Sequence, residues 1–190
     1  MRLAVLLSGR GSNFQAIHEA VQNGALDAEI VCVISNRPDA AGIARAREYG
    51  YAAHVIDHKQ FANRAAHEAE VLRVLDDARP DFIALAGYMR LLSPSFIDRY
   101  RNRIVNIHPS LLPSFPGLDA QAQAIAAGVK ISGCTVHLVD ENLDAGPSLV
   151  QRAVEVRDND TAESLAARIL VQEHEAYVEA LRKLASERKT

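Results

Sequence analysis

The chain has 190 residues, 48% of them hydrophobic and 24% charged, and carries a formal net charge of −3. That is the composition of one globular domain with a substantial core. A weakly acidic chain without a dense Lys/Arg run is not built to neutralise nucleic-acid phosphates. No apolar run reaches the length of a membrane span, so neither nucleic acid nor membrane is expected as a partner.

The first predicted strand is "RLAVLL" (2–7), and a helix is expected over about 13–22. The apolar run before Gly9 is too short for a signal peptide, and Cys32 and Cys134 both lie in apolar strand-like runs. Together they suggest a cytoplasmic protein with reduced, buried thiols. Between strand and helix stands "SGRGSN", where Gly9 and Gly11 allow a tight turn and Ser12 and Asn13 bring small donors to a helix N-terminus. Free N–H groups and the helix dipole favour an anion there. The turn reads either as a phosphate cradle or as an ordinary capped strand-to-helix connection. It is no dinucleotide fingerprint, because Phe14 replaces the third glycine and "ISNRP" ends the next strand without an acid.

Further strands are expected at "EIVCVI" (29–34), "AHVI" (53–56), "FIALA" (82–86) and "RIVNI" (103–107), with helices over about 41–49, 61–78 and 94–100. Gly24 and Gly50 mark helix ends, and Ser93-Pro94 marks a helix start. Strands apolar on both faces and separated by helices imply a parallel sheet covered on two sides. In such sheets ligands bind at the carboxyl ends of the strands.

The strand around residue 105 ends in a way that needs explaining. Alternation puts Asn106 and His108 on one face and Val105 and Ile107 on the other, and Pro109 stops the ladder. A lone strand histidine is more often structural than catalytic. An amide beside an imidazole at a strand exit could instead stabilise an oxyanion, the histidine being charged if a carboxylate stands near it.

"ISGCTVHLV" (131–139) and "SLVQRAVEV" (148–156) are close enough in sequence to pair antiparallel. Their connection holds Asp140, Glu141 and Asp144, which are solvated turn residues, metal ligands of an unconvincing set, or a partner for His108. Asp144, fixed by the Ala-Gly-Pro that follows, is the chosen partner. A long last helix follows, opened by Asp160 and Glu163 at capping-box spacing. At 100° per residue Glu173 falls among Leu165, Ile169, Leu170, Tyr177, Leu181 and Leu184. A carboxylate on an apolar stripe needs an ion-pair partner or a cleft with ligand hydroxyls. The expected fold is α/β: a three-layer α/β/α domain over 1–190, with a mostly parallel Rossmann-like sheet, an antiparallel C-terminal extension and a long C-terminal helix.

The stretches "SGRGSNFQAI", "VISNRPDAAGIARA", "LAGYMRLLSP", "NIHPSLLPSFPG", "GCTVHLVDENLDAGP" and "VQEHEAY" together resemble the phosphoribosylglycinamide formyltransferases, the folate-dependent transformylases of purine synthesis. "NIHPSLLP" followed by "LDAGP" is specific to the wider formyltransferase superfamily, while the glycine loop and tail helix make the narrower match. The resemblance implies formyl transfer from 10-formyltetrahydrofolate, as co-substrate, to the amine of glycinamide ribonucleotide, with no metal and in a monomer or homodimer. It implies a ribonucleotide-binding half (1–100) and a folate-binding, catalytic half (101–190). Asn106, His108 and Asp144 match the catalytic trio; Gly11, Ser12 and Asn13 match the substrate phosphate loop. Leu170, Val171, Gln172 and Glu173 match the segment at the ribose and glycinamide end. Arg64, Met89, Arg90, Leu91, Leu92, Asn106 and the loop Asp140, Glu141, Asn142, Leu143, Asp144 match the folate contacts. Asp119 and Leu170 depart from the pattern, which more often has a basic residue and a glutamine there. A formyltetrahydrofolate deformylase uses a similar trio on water but carries an additional domain. A methionyl-tRNA formyltransferase carries an RNA-binding domain. A nucleotide-binding regulatory module would leave the trio unexplained.

Overall fold

The computed structural model describes residues 1–187. Strands β1 (Arg2–Leu7), β2 (Glu29–Ser35), β3 (Ala53–Val55), β4 (Phe82–Leu85) and β5 (Ile104–His108) alternate with helices α1 (Ser12–Gln22), α2 (Ala41–Glu48), α3 (Arg64–Ala78) and α4 (Pro94–Arg99). After β5 come α5 (Ala120–Ala126), β6 (Ile131–Leu138), β7 (Ser148–Glu155) and α6 (Ala162–Glu187). The seven strands form one sheet in the order β3-β2-β1-β4-β5-β6-β7. β1 to β5 pair parallel, whereas β5–β6 and β6–β7 pair antiparallel. This is the expected three-layer fold with its antiparallel extension.

The parallel strands are buried on both faces because helices cover both. One core joins Phe14 and Ile17 of α1, Ile43 of α2, Ala124 of α5 and Leu165, Ile169, Tyr177 and Leu181 of α6 to Leu3, Val5 and Val105 of the sheet. The other packs Val71 and Leu75 of α3 and Phe96 of α4 against Ala4, Leu6, Ile83 and Ile104. The chain runs outward from β1 to β3 and then returns to β4, so the strand order reverses between β1 and β4. Such a reversal leaves a crevice beyond the strand ends.

Three local expectations required correction. The run 61–78 is helical only from Arg64, because Asn63 accepts the Ala66 N–H and a short 3₁₀ turn at His58–Gln60 occupies the chain before it. Helix α5 adds to the expected elements: Asp119 stands before it in the left-handed region and makes no side-chain cap. The last helix is opened by Thr161 and Ser164, each accepting from the other's N–H, and not by Asp160 and Glu163. Asp160 is instead held by Arg168, Ser164 and the Arg157 N–H. The expected stops at Gly24 and Gly50 and the Ser93-Pro94 start all stand as read.

The glycine loop is braced from the side. Gly42, at the start of α2, donates its N–H to the Gly9 carbonyl at 3.0 Å. Gly11 has φ +72°, and a Cβ there would lie 2.8 Å from the Gly42 Cα. Both the backbone conformation and the space therefore demand glycine. Gly11→Ala should cost about 1–3 kcal/mol, read as a lower unfolding midpoint in denaturant titration; an unchanged midpoint would show the loop yields freely.

Candidate active site

The carboxyl ends of β1, β4 and β5 open towards one region. α1 starts directly after the left-handed Gly11, with no side-chain cap and no acid in its first turn. Its first N–H groups are therefore available to an anion, as expected of a cradle. The Ser12 side chain is half-exposed there, but Asn13 is buried, and its Nδ2 donates to Glu173 Oε2 at 2.9 Å. Glu173 thus finds its partner on α1, not in a charged sheet residue. Burial pushes its carboxyl up from the ordinary range, while the Asn13 hydrogen bond and the His108 charge pull it back. Leu170 shares the Glu173 face of α6, being three residues away. Val171 points to solvent, and Gln172 turns to Arg152.

His108 leaves β5 beside Asp144, and Asn106 lies two residues before it on the same strand. Asp144 sits in the left-handed region with φ 51°, which turns its carboxylate back towards the strand ends. Its Oδ2 lies 3.3 Å from His108 Nδ1 and accepts the Gly117 N–H at 2.9 Å. The other nitrogen of His108, Nε2, meets the Phe115 carbonyl at 2.8 Å. Both ring nitrogens therefore face acceptors, an arrangement that matches a ring carrying two N–H groups. The side chains of His108 and Asp144 are only 7% and 8% exposed. Little water screens their interaction.

His137 belongs to this cluster and was not singled out from the sequence. The β5–β6 register sets it directly opposite Asn106. Its Nδ1 meets the Leu138 carbonyl at 2.9 Å, so Nε2 is the acceptor nitrogen of a neutral ring and takes a hydrogen from Asn106 Nδ2 at 3.3 Å. Burial, the leading influence, pushes the His137 imidazole down and so favours that neutral form. The Asn106 amide retains a second N–H, since one of its two is taken. The available signal was "CTVHLV" read as an antiparallel partner of β5, which places alternate β6 residues across from Asn106 and His108.

The residues expected to meet folate lie on three segments: the β4–α4 connection, the 140–144 loop and the start of α3. Met89 and Leu91 stand in the β4–α4 connection 66% and 67% exposed, and Leu143 of the acidic loop is also exposed. Arg90 and Leu92 are half-buried in the same connection, and Asp140 folds its carboxylate onto the Asn142 N–H. Glu141 and Asn142 are exposed. Arg64, at the start of α3, lies 4.0 Å from Glu68, which also accepts the Ser93 N–H at the far end of the β4–α4 connection. At its near end Met89 donates its N–H to Ser8 Oγ at 2.8 Å, and Ser8 donates in turn to Asn36. Ser8, Asn36 and Glu68 were likewise not singled out; they pin both ends of this segment. Leu118 and Asp119 lie exposed beyond Gly117.

No group of three or more His, Cys, Asp and Glu is placed to hold a metal among the described residues. No helix among them is long and apolar enough to cross a membrane. Cys32 and Cys134 are free and buried, with both thiols pushed up to about 12 by burial.

Comparison with known proteins gives this cluster a context. The trifunctional purine biosynthetic protein adenosine-3 of Drosophila melanogaster is 50% identical over 187 residues, which is 97% of this chain but 14% of that protein. The chain thus spans about a seventh of that relative's length. The phosphoribosylglycinamide formyltransferase of Escherichia coli is 42% identical over 93% of this chain and 84% of its own length. The crystal structure of glycinamide ribonucleotide transformylase 1 from Symbiobacterium toebii superposes with a TM-score of 0.96, at 46% identity, covering 99% of this chain and 89% of that one. A formyltetrahydrofolate deformylase from Pseudomonas syringae superposes at 0.88 with 30% identity, covering 98% of this chain and 62% of that one. A domain model described as formyl transferase matches residues 1–181, the whole sheet and most of α6. With that match running from β1 through the Asn106, His108 and Asp144 cluster, the chain belongs to the formyl transferase family.

Proposed function

We propose that the chain transfers the formyl group of 10-formyltetrahydrofolate to the amine of glycinamide ribonucleotide, yielding formylglycinamide ribonucleotide and tetrahydrofolate. The observation that carries this reading is the meeting of Asn106, His108 and Asp144 within one buried cluster at the end of β5. The relatives named for this reaction support the choice of substrates. The neutral amine attacks the formyl carbon, and negative charge develops on the formyl oxygen. The spare N–H of Asn106 and the charged His108 stabilise that oxygen, and His108 supplies a proton towards the departing folate nitrogen. Direct donation by Nε2 requires the ligand to displace the Phe115 carbonyl. Asp144 holds the imidazolium and, through a water, takes the proton that the attacking amine sheds, and collapse of the oxyanion breaks the bond between the formyl carbon and the protonated folate nitrogen.

On this reading the phosphate lies on the first turn of α1, and the sugar end reaches Glu173. The pterin lies against Met89 to Leu92 and the 140–144 loop, with Arg64 at the outer end. The protein works in the cytoplasm as a monomer or homodimer on small-molecule substrates.

The decisive experiment follows loss of the formyl group from a 10-formylfolate donor by absorbance, with and without glycinamide ribonucleotide. Turnover is expected only with the ribonucleotide present. Turnover without it would make the chain a hydrolase working through the same trio, the activity named for the deformylase neighbour. Folded protein with no turnover in either mixture would remove the catalytic reading.

A further inference from the structure

We infer that Asn13 is a positioning residue whose side-chain amide, not only its place in the glycine loop, orients the Glu173 carboxylate and keeps it ionised for the ribonucleotide. The kinetic part of this inference rests on the proposed function; the structural part does not.

Asn13 is the second residue of α1, where its backbone N–H belongs to the free donors of the first turn. A residue serving an anion at that point would be expected to present its side chain to the same anion. Instead the side chain is 8% exposed and turns to Glu173 on the neighbouring α6, 160 residues away in sequence, donating at 2.9 Å. Glu173 is equally buried, and it is a poor place for a bare charge. The titratable groups that face it are His108 from β5, the Cys134 thiol from β6 and the Tyr177 hydroxyl one turn along α6. The Tyr177 hydroxyl is engaged with the Leu85 and Val105 carbonyls. Arg152 of β7, the nearby cation on the other side of Cys134, is engaged by Glu175 and Glu179. Nothing charged is found on α5, whose sequence is "AQAQAIA". The Asn13 N–H is thus the direct hydrogen bond that offsets burial of the carboxylate, with the His108 charge acting from further off.

The other end of the amide points to the same role. Asn13 Oδ1 is buried with no hydrogen-bond partner, so the Glu173 contact is what sets the amide's orientation. An amide can donate to a carboxylate or, turned by 180°, accept from a carboxylic acid. It therefore follows the protonation state of Glu173. Ala can do neither, and Asp, nearly isosteric, would oppose a second charge. By this link the helix start where a phosphate is expected and the acceptor expected at the sugar end share one side chain.

The test uses the full chain labelled with 13C at the Glu carboxyl carbons, with the Glu173 resonance assigned by its loss in Glu173→Gln. In Asn13→Ala, Glu173 should titrate at higher pH than in the parent protein. In Asn13→Asp, which keeps the volume and guards against a variant that fails to fold, its titration should move in the same direction. An unmoved Glu173 resonance in a folded variant overturns the inference, and this arm needs no enzymatic activity. In the formyl-transfer assay, the acid limb of kcat/KM for the ribonucleotide should shift upward in Asn13→Ala. The deficit should be about tenfold or more at the acidic end and shrink as pH rises. A deficit of equal size at every pH would mean that Asn13 acts only through the loop backbone, and would equally overturn it.

Discussion

Asp144→Asn should lower turnover by roughly 10²- to 10⁴-fold while leaving the fold intact. Asparagine tolerates the left-handed conformation that Asp144 adopts at φ 51°, so the turn can form. Its remaining oxygen can still accept the Gly117 N–H, which Asp144 accepts at 2.9 Å. What disappears is the negative charge 3.3 Å from His108 Nδ1 in a site with almost no solvent. Without it, the imidazolium loses the carboxylate in direct contact with its ring, and Glu173 acts on it only from further off. Single-turnover rates and a thermal melt together check this. A variant that melts like the parent yet keeps most of its rate would show that the carboxylate is structural.

The second large effect is expected at Asn106. Removing one donor to a developing oxyanion costs roughly 10²- to 10³-fold in turnover, and Asn106→Ala removes just such a donor. The side chain contributes little to the fold, since among the described residues its hydrogen bond is the long 3.3 Å contact with His137 Nε2. The loss should fall on kcat, with KM for both substrates little changed, because the bond strengthens only as charge develops. Loss confined to KM would place Asn106 in ground-state binding and leave the oxyanion without its amide.

Asn106 and His108 were legible in the sequence for a simple reason. Strand alternation is a local rule, and it sends Asn106 and His108 to one face whatever the rest of the chain does. Glu173 was legible for the same reason, through helical periodicity on α6. The unread parts depend on pairings over long separations. His137 looks like one more residue of an apolar strand until the antiparallel register brings it opposite Asn106, and that register depends on the geometry of two loops. The Asn13–Glu173 contact joins the second residue of α1 to the middle of α6, and no spacing rule reaches so far. The start of α6 failed differently. Asp160 and Thr161 are both good caps, and Arg168, two turns on, draws Asp160 away. Ser8 and Asn36 are small polar residues at strand ends, common enough in any α/β chain that only their shared hold on Met89 reveals them.

The packing of α6 on α1 also governs how the chain is made. Phe14 and Ile17 have their burial completed by a core whose other half, Leu165 to Leu184, leaves the ribosome only after all seven strands. At about 5–20 residues per second, that apolar stripe on α1 waits roughly ten seconds or more before its cover exists. During that interval β1, β2 and β4 can pair, yet the nascent sheet keeps one greasy side open. The growing chain is then most exposed to aggregation and to chaperone capture. Glu173 arrives near the end of that wait, so the site's own carboxylate is among the last pieces set into a core already largely assembled.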